Sequence, residues 1–298
     1  MSTGYVIITA ARNEASYIGH TLRAVTAQTI PPASWIIVSD GSTDATDAMA
    51  KLYAERYPYI HLINSTPDGS RSFGSKAKAI NQGYRLARDV PHDFVAVLDA
   101  DVSFEPDYYA AVMERFETRP LLGLAGGILY DNINGKFVRQ TCSLDWSVSG
   151  PIQMFRRACF EAIGGYQPLP RGGIDAIAET SVRMKGWSVR TFPEIQVLHH
   201  RRTGAEKGNP LVTCYRDGLK EYGYGTYPLF EAAKAIARLL DRPPLLGSVL
   251  RLSGYGTAWL RHEPRLLPPN VLDAVRREQR ARLLEWLHLK GMKGASCP

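Results

Sequence analysis

Residues Phe94–Asp101 read FVAVLDAD, five apolar residues that run straight into two aspartates. An unbroken apolar run closed by polar residues marks a strand buried on both faces, unlike the alternating pattern of a half-solvated strand. Three similar runs precede it: Tyr5–Thr9 (YVIIT), Trp35–Ser39 (WIIVS) and Tyr59–Ile63. Helical spacing separates them, through Ile18, Leu22 and Val25 in Ser16–Ala27, through Ala45, Met49 and Leu52, and along Lys76–Ala87. Buried strands that alternate with helices predict a mainly parallel sheet with right-handed crossovers, an α/β architecture. In such sheets ligands bind beyond the carboxyl ends of the strands. The segments there are Ala10–Glu14 (AARNE), Asp40–Asp44 (DGSTD), Ser65–Lys78 and Asp99–Asp101, all of them polar.

Past residue 101 the pattern loosens. Strand candidates are Gly127–Tyr130, Phe137–Thr141 and Gln153–Arg156. A helix is expected from Asp175 to Lys185 with Gly186 as its stop, followed by two strand pieces, Ser188–Phe192 and Ile195–Leu198. Beyond Arg201 the chain reads as helical, interrupted at Pro243-Pro244 and Pro268-Pro269.

Composition excludes several classes. Of the 298 residues, 45% are hydrophobic and 22% charged, which is globular and not disordered, collagenous or coiled-coil. The four cysteines have no CxxC spacing, so neither a zinc ribbon nor a disulfide scaffold is indicated. The N-terminal MSTGYVIITAARNE lacks the features of a signal peptide, and a cytoplasmic location is expected. Residues 201–298 carry 17 Lys and Arg against 9 Asp and Glu, whereas residues 1–200 carry 19 against 20. A basic tail suggests an anionic partner, and here an acidic membrane surface is expected rather than nucleic acid. Packing on the catalytic part or a homodimer interface are the competing uses of that segment.

Several residues can carry chemistry. Asp99 and Asp101 stand two apart at a strand end, where side chains share a face, and a carboxylate pair suits a hard divalent cation bridged to phosphates. Asp40 can accept hydrogen bonds from a base or ribose, while Ser42 or Thr43 caps the next helix. Asp175, in the first turn of a helix, can act as a general base or merely complement the helix dipole. Glu179 lies one turn further along. His199 and His200 can offer an imidazole to a metal, and Arg201 and Arg202 can bind phosphate oxygens. Lys76 and Lys78 follow a Gly/Ser-rich loop, but no P-loop, GxSxG, HExxH or GxGxxG motif is present.

In this order the motifs resemble family 2 glycosyltransferases of the GT-A fold. The resemblance spans roughly residues 4–200 and rests on IITAARNE, VSDGSTD, KAKAINQG, VLDADVSFEPD, SGPIQMFRRACFEAIGGY and GGIDAIAETSVRMKGW. It implies a catalytic domain over residues 1–203, with a nucleotide-binding half (1–101) and an acceptor-side half (102–203). A helical basic region (204–298) follows. It further implies that Thr9, Ala10, Arg12 and Glu14 line the nucleoside pocket and that Asp40 meets the base. Asp99 touches the ribose or metal shell, and Asp101 binds Mg2+ or Mn2+ with His199 or His200. Lys76 lies near the donor, Gly150 flanks the donor or acceptor sugar, and Asp175 is the base; Arg201 or Arg202, read from the residues alone, is expected to add to the binding of the donor diphosphate. The chain departs from many members at Ala10-Ala11, where they have Pro, and at Ile174, where they have Glu before the aspartate.

The implied activity is transfer of a sugar from a UDP- or GDP-type donor to a hydroxyl on a sugar or lipid-linked sugar. Transfer is expected to be inverting and metal-dependent, in cell-envelope polysaccharide, lipopolysaccharide or glycolipid synthesis. The protein is expected to be cytoplasmic or peripheral on the inner face of the cell membrane. The runner-up readings are a nucleotidyltransferase, which AARNE disfavours for want of glycine, and a non-enzymatic lipid or nucleic-acid binder with a decayed site.

Overall fold

The four apolar runs form β1 (Tyr5–Ala11), β2 (Ser34–Ser39), β3 (Ile60–Asn64) and β4 (Phe94–Leu98) of a computed structural model. It describes residues 4–65, 73–140, 145–201, 209–241 and 243–290. Helices α1 (Ile18–Thr26), α2 (Thr46–Arg56) and α3 (Phe73–Ala87) make the connections between these strands. Strands β1, β2 and β4 are buried almost throughout, and β3 is half-exposed because it is an edge strand. All four are parallel neighbours in the order β3-β2-β1-β4. Each fully buried aliphatic side chain in this layer contributes roughly 1.5–3 kcal/mol. Trp35 is fully buried, and its indole N–H is satisfied by Thr9 Oγ1 at 3.0 Å. Gly83 lets α3 lie close on the sheet, since a Cβ there would stand 2.6 Å from Ile8 Cγ2.

The second half of the sheet mixes directions. It comprises β5 (Val102–Phe104), β6 (Leu122–Ile133), β7 (Lys136–Arg139), β8 (Ile152–Arg156) and β9 (Ser188–His199), with α4 (Tyr108–Glu117), α5 (Arg157–Ile163) and α6 (Ile174–Met184) around it. The order continues β4-β8-β6-β9-β5, and β7 pairs with β6. Two consequences of register position the site. Because β8 runs antiparallel to β4, its first residue Ile152 pairs with Leu98, and Asp99 N–H donates to the Pro151 carbonyl at 3.0 Å. The start of β8 therefore lies at the carboxyl end of β4. Likewise β5 is antiparallel to β9, so Val102 pairs with His199 and His200 N–H donates to the Asp101 carbonyl at 2.9 Å.

The two strand pieces expected at 188–198 are one strand, β9, that runs through Pro193. The register against β6 slips between Gly126 and Ile128, whose partners are Thr191 and Gln196. Pro193 falls within that bulge, where its missing N–H costs the ladder nothing.

The chain divides into two compact units, Met1–Thr203 and Gly204–Pro298. The second is helical: α7 (Pro210–Gly223), α8 (Pro228–Ala237), α9 (Leu246–Leu260) and α10 (Pro269–Lys290). Three of the four open on proline, whose fixed φ and absent N–H suit a first helical position.

Candidate active site

A cavity of about 170 Å³ opens at the end of β4. Lys76, Asp99, Gly150, Pro151, Tyr166 and Asp175 line it, with Ile80 and Val97 as apolar wall. Four residues singled out in the sequence, Lys76, Asp99, Gly150 and Asp175, thus meet in one space, although they come from α3, the β4 end, the segment before β8 and α6.

Asp175 is the second residue of α6. The helix begins after Gly173, whose φ of 77° lies in the left-handed region that favours glycine. The Asp175 carboxylate has no hydrogen-bond or ion-pair partner among the described residues, and Gly150 packs directly against it. Glu179 does not share this space. It is buried 4% exposed, and its Oε1 accepts from Val148 N–H at 2.7 Å and Ser147 Oγ at 3.1 Å. Burial pushes its carboxyl up to about 7, against the pull of Arg183. Glu179 is therefore tied to Val148 and Ser147 and is not among the residues that line the cavity.

Lys76 Nζ stands 2.5 Å from Asp99 Oδ1. Burial opposes its charge, but Asp99, then Asp101 and Asp175, hold its ammonium above the usual lysine range. Lys76 thus pairs with Asp99 and carries the field of two further acids.

Asp99 and Asp101 do not occupy one strand face, as the i, i+2 argument expected. β4 ends at Leu98, and both acids lie in the turn beyond it. Asp99 faces Lys76 and the cavity. Asp101 is buried against the opposite group: His199 Nε2 lies 3.3 Å from its Oδ2, and Arg201 Nε lies at the same distance. Burial raises the Asp101 carboxyl, but the hydrogen bond from His199 and the charges of His199, Arg201 and Lys76 outweigh it and hold it low. His199 also pairs through Nδ1 with Asp131 Oδ1 at 2.7 Å. Burial lowers the imidazole, yet Asp101 and Asp131 push it up to about 8.

His200 is engaged elsewhere. Its ring stacks on His20 with centroids 3.8 Å apart, and its Nε2 lies 2.7 Å from Ser103 Oγ. Burial, then the charge of His20, pushes it down to about 4. Adjacent residues in a strand point to opposite faces, so only His199 reaches Asp101.

The first loop is built by side-chain bonds. Asn13 has φ 56°, and its Oδ1 accepts from Thr43 N–H at 2.8 Å while its own N–H donates to Ser42 Oγ at 3.2 Å. Neither Ser42 nor Thr43 caps α2. The cap position is Ala45, and Asp44 just before it accepts from Thr46 N–H at 3.0 Å and ties in the first loop through Ala15 N–H at 3.0 Å. Asp40 stays free of that role and pairs with Arg12 Nη1 at 3.5 Å. Thr9, expected in the nucleoside pocket, has its side chain fully buried against Trp35, whose indole N–H it accepts. Ala10, the next residue on β1, is half-exposed. Glu14 is buried and paired with Arg201, whose guanidinium also lies over the Tyr17 ring at 5.0 Å. Arg201 is therefore a tie between the first loop and Asp101. Arg202 lies outside the described residues.

The sequence reading missed Asp131, the residue that orients His199, and Tyr166, which floors the cavity. Asp131 ends an otherwise apolar run, LGLAGGILYD, and that break was its signal. Tyr166 follows the paired glycines 164 and 165, both at positive φ, a corner that aims the ring inward.

Do these residues suit a divalent cation? Among the described residues, no three His, Cys, Asp or Glu side chains are gathered as a metal cage. Mg2+ seldom needs one; it commonly takes one or two carboxylates and completes its shell with water and substrate phosphates. Asp101 Oδ1 is buried with no hydrogen-bond partner in the described structure. An oriented, anionic, unpartnered oxygen fits one ligand position of such an ion.

The sequence pattern described as "Glycosyl transferase family 2" matches residues 6–166. Among curated proteins, the uncharacterized glycosyltransferase YibD of Escherichia coli (strain K12) is 33% identical over 92 residues, which is 31% of this chain and 24% of that protein. The poly-beta-1,6-N-acetyl-D-glucosamine synthase of Staphylococcus aureus (strain COL) is 32% identical over 124 residues, 42% of this chain and 28% of that one. The likeness thus spans about a quarter of the length of these relatives. Among solved structures, mannosyltransferase PcManGT from Pyrobaculum calidifontis, in complex with GDP-Man and Mn2+, superposes with a TM-score of 0.56 at 19% identity over 86% of this chain and 75% of that chain. S. aureus TarS 1-349 with UDP-GlcNAc gives a TM-score of 0.56 at 16% identity over 80% and 72%. At such identities the likeness is one of fold.

Proposed function

The chain belongs to glycosyl transferase family 2 and has the GT-A fold, and from that premise we propose that it transfers a sugar from a nucleoside-diphosphate sugar to a hydroxyl of a sugar or lipid-linked sugar acceptor, with inversion. The observation that carries this reading is the cavity that Asp175 lines together with Asp99, Lys76 and Gly150.

Residues 1–101 hold the nucleotide and residues 102–203 the acceptor side. Ala10, Arg12 and Asp40 take the nucleoside, with the Arg12 contact orienting the Asp40 carboxylate toward the base. Asp101, through its unpartnered Oδ1, would hold Mg2+ or Mn2+, with Asp99 and His199 as the further protein groups of the shell. When bound, such an ion would neutralise charge on the departing diphosphate, an effect of several kcal/mol in such sites. Lys76 adds a second cation at the same mouth. Arg201 and Asp131 keep Asp101 and His199 in place. Asp175, with no bond to compete for its oxygens, accepts the proton of the attacking hydroxyl, a contribution of about 10²–10⁴-fold. The structural neighbours support this reading: one holds GDP-Man with Mn2+, and another UDP-GlcNAc. A cell-envelope polysaccharide or glycolipid is the product class we favour.

A panel of UDP- and GDP-sugars, each with Mg2+ or Mn2+, identifies the donor by nucleotide release. Asp175→Asn is expected to keep the donor-induced thermal shift and lose transfer; Asp101→Ala is expected to lose the metal-dependent part of that shift. Wild-type transfer by Asp175→Asn sinks the assignment of the base.

A further inference from the structure

Helices α8 and α9 are built inside out. A helix on a water-soluble surface buries its apolar face and shows its polar one. Here α9 presents Leu246, Val249, Leu252, Trp259 and Leu260 to solvent, 43–72% exposed, while it buries Ser248 and Arg251. Arg251 is the one charged residue of α9, and it is turned inward to Asp217 at 3.2 Å. Helix α8 repeats the inversion. Leu229 and Ile236 are 63% and 58% exposed, whereas Glu231 is 1% exposed and Lys234 is tied to Glu221 at 2.7 Å. Ser248 Oγ donates to the Ala235 carbonyl at 2.8 Å and holds the two helices side by side. The turn between them adds Leu240 at 89% exposed and Leu245 at 62%. Exposed apolar side chains scattered singly mean little, but a contiguous face with its polar groups buried behind it marks an interaction surface.

We propose that this face lies on a bilayer that contains anionic lipid. Three observations select that occupant. The first is length: at about 1.5 Å per residue, α9 spans roughly 22 Å, and no helix among the described residues is long and apolar enough to cross a membrane. The helices therefore lie in the interfacial plane, with their apolar side in the outer acyl region. The second is charge. Residues 204–298 hold 15 Lys and Arg against 9 Asp and Glu. Arg238 ends α8 and Arg261 ends α9; both are exposed, and neither has an ion-pair partner among the described residues. Acidic headgroups complement those two arginines. The third is Trp259 beside Arg261 at the end of the stripe, the aromatic and basic pairing that favours a headgroup boundary.

This inference stands apart from the donor chemistry, and its test needs no substrate. The full chain is floated with phosphatidylcholine vesicles, with and without phosphatidylglycerol, at low and high salt. The wild type is expected to float with the acidic vesicles and to dissociate in high salt. Val249→Ser/Leu252→Ser/Trp259→Ser is expected to lose roughly tenfold or more of that binding. Leu52→Ser, at a 66% exposed leucine of α2, is expected to bind as the wild type does. Should the triple variant unfold by circular dichroism, Leu252→Glu alone gives the same reading at one exposed site. The proposal is overturned if the wild type fails to float, if the Ser or Glu variants float unchanged, or if the wild type proves to be a dimer that these substitutions dissociate without any binding to vesicles.

Discussion

A methyl group on Gly150 would stand 2.8 Å from Asp175 Oδ2 and 3.2 Å from Asp175 Cβ. Gly150 has no left-handed φ to protect, so its backbone tolerates alanine, and the obstacle is the carboxylate alone. Gly150→Ala is expected to fold with little change in Tm and to displace the Asp175 carboxylate by a fraction of an ångström or more. Misplacement on the scale of 1 Å costs on the order of 10²-fold in rate. Steady-state kinetics with the donor identified by the panel should show kcat reduced and donor KM nearly unchanged. A variant with normal kcat shows that the close approach is incidental.

Lys76 pairs with Asp99 in the field of two further acids, and its loss should be felt as electrostatics before anything else. Lys76→Met removes the cation that pairs with Asp99 and helps to hold the Asp101 carboxyl low. A lowered acid stabilises the folded state while ionised, and that contribution is lost as pH falls through its folded value, so the share of it that Lys76 supplies is felt at neutral pH and fades in acid. The Tm difference between wild type and Lys76→Met should be larger at pH 7.5 than at pH 3. Added Mn2+ should recover part of it at pH 7.5. A constant difference across pH assigns Lys76 a packing role through its stem.

The parallel half of the fold was legible because its strands have no solvent face: FVAVL, WIIVS and YVIIT leave no other reading, and the polar loops after them mark the ligand edge. The candidate base was legible only by resemblance, since Asp175 alone is as well explained by the helix dipole. Two things escaped the linear reading. Asp99 and Asp101 were expected on one strand face, but the strand ends a residue earlier, and the two acids turn toward different cations. Thr9 was expected to line a pocket, but the alternation of β1 points it at Trp35, a contact between residues 26 apart that no local pattern announces. Long-range partners such as Asp131 for His199 are likewise set by register between β6 and β9, which slips at a bulge.

Asn81 reaches across to the other half of the site. Its Nδ2 donates to the Tyr166 carbonyl at 2.7 Å, and its Oδ1 accepts from Tyr166 N–H at 2.9 Å. This pair fixes the corner after Gly164 and Gly165 and so the ring that floors the cavity. Asn81→Ala strands two backbone groups, each costing about 1–3 kcal/mol if left dry. Denaturant melts should show a loss of a few kcal/mol, and donor turnover should fall with it. Asn81→Asp keeps the acceptor but not the donor, and is expected to fall between the two.

Glu179 gives the fold a pH signature that catalysis does not. Its carboxyl is pushed up to about 7 by burial, from an ordinary 4.5. A raised acid favours the folded state while protonated: the contribution is full below the unfolded pKa and is lost as pH rises through the folded one. The window is therefore about pH 4.5 to 7, and the span of the shift corresponds to roughly 3 kcal/mol at about 1.4 kcal/mol per unit. Glu179→Gln keeps Oε1 for the Val148 and Ser147 bonds and removes the buried charge, at the loss of the 3.6 Å approach to Arg183. The variant is expected to match the wild type near pH 5 and to exceed it in stability at pH 8, as read by urea melts at the two values. Because Glu179 lies outside the cavity, transfer at pH 8 should persist in this variant. A Gln variant that is less stable at pH 8 than the wild type would mean that the Arg183 pair outweighs burial and that the carboxyl is ionised at little cost.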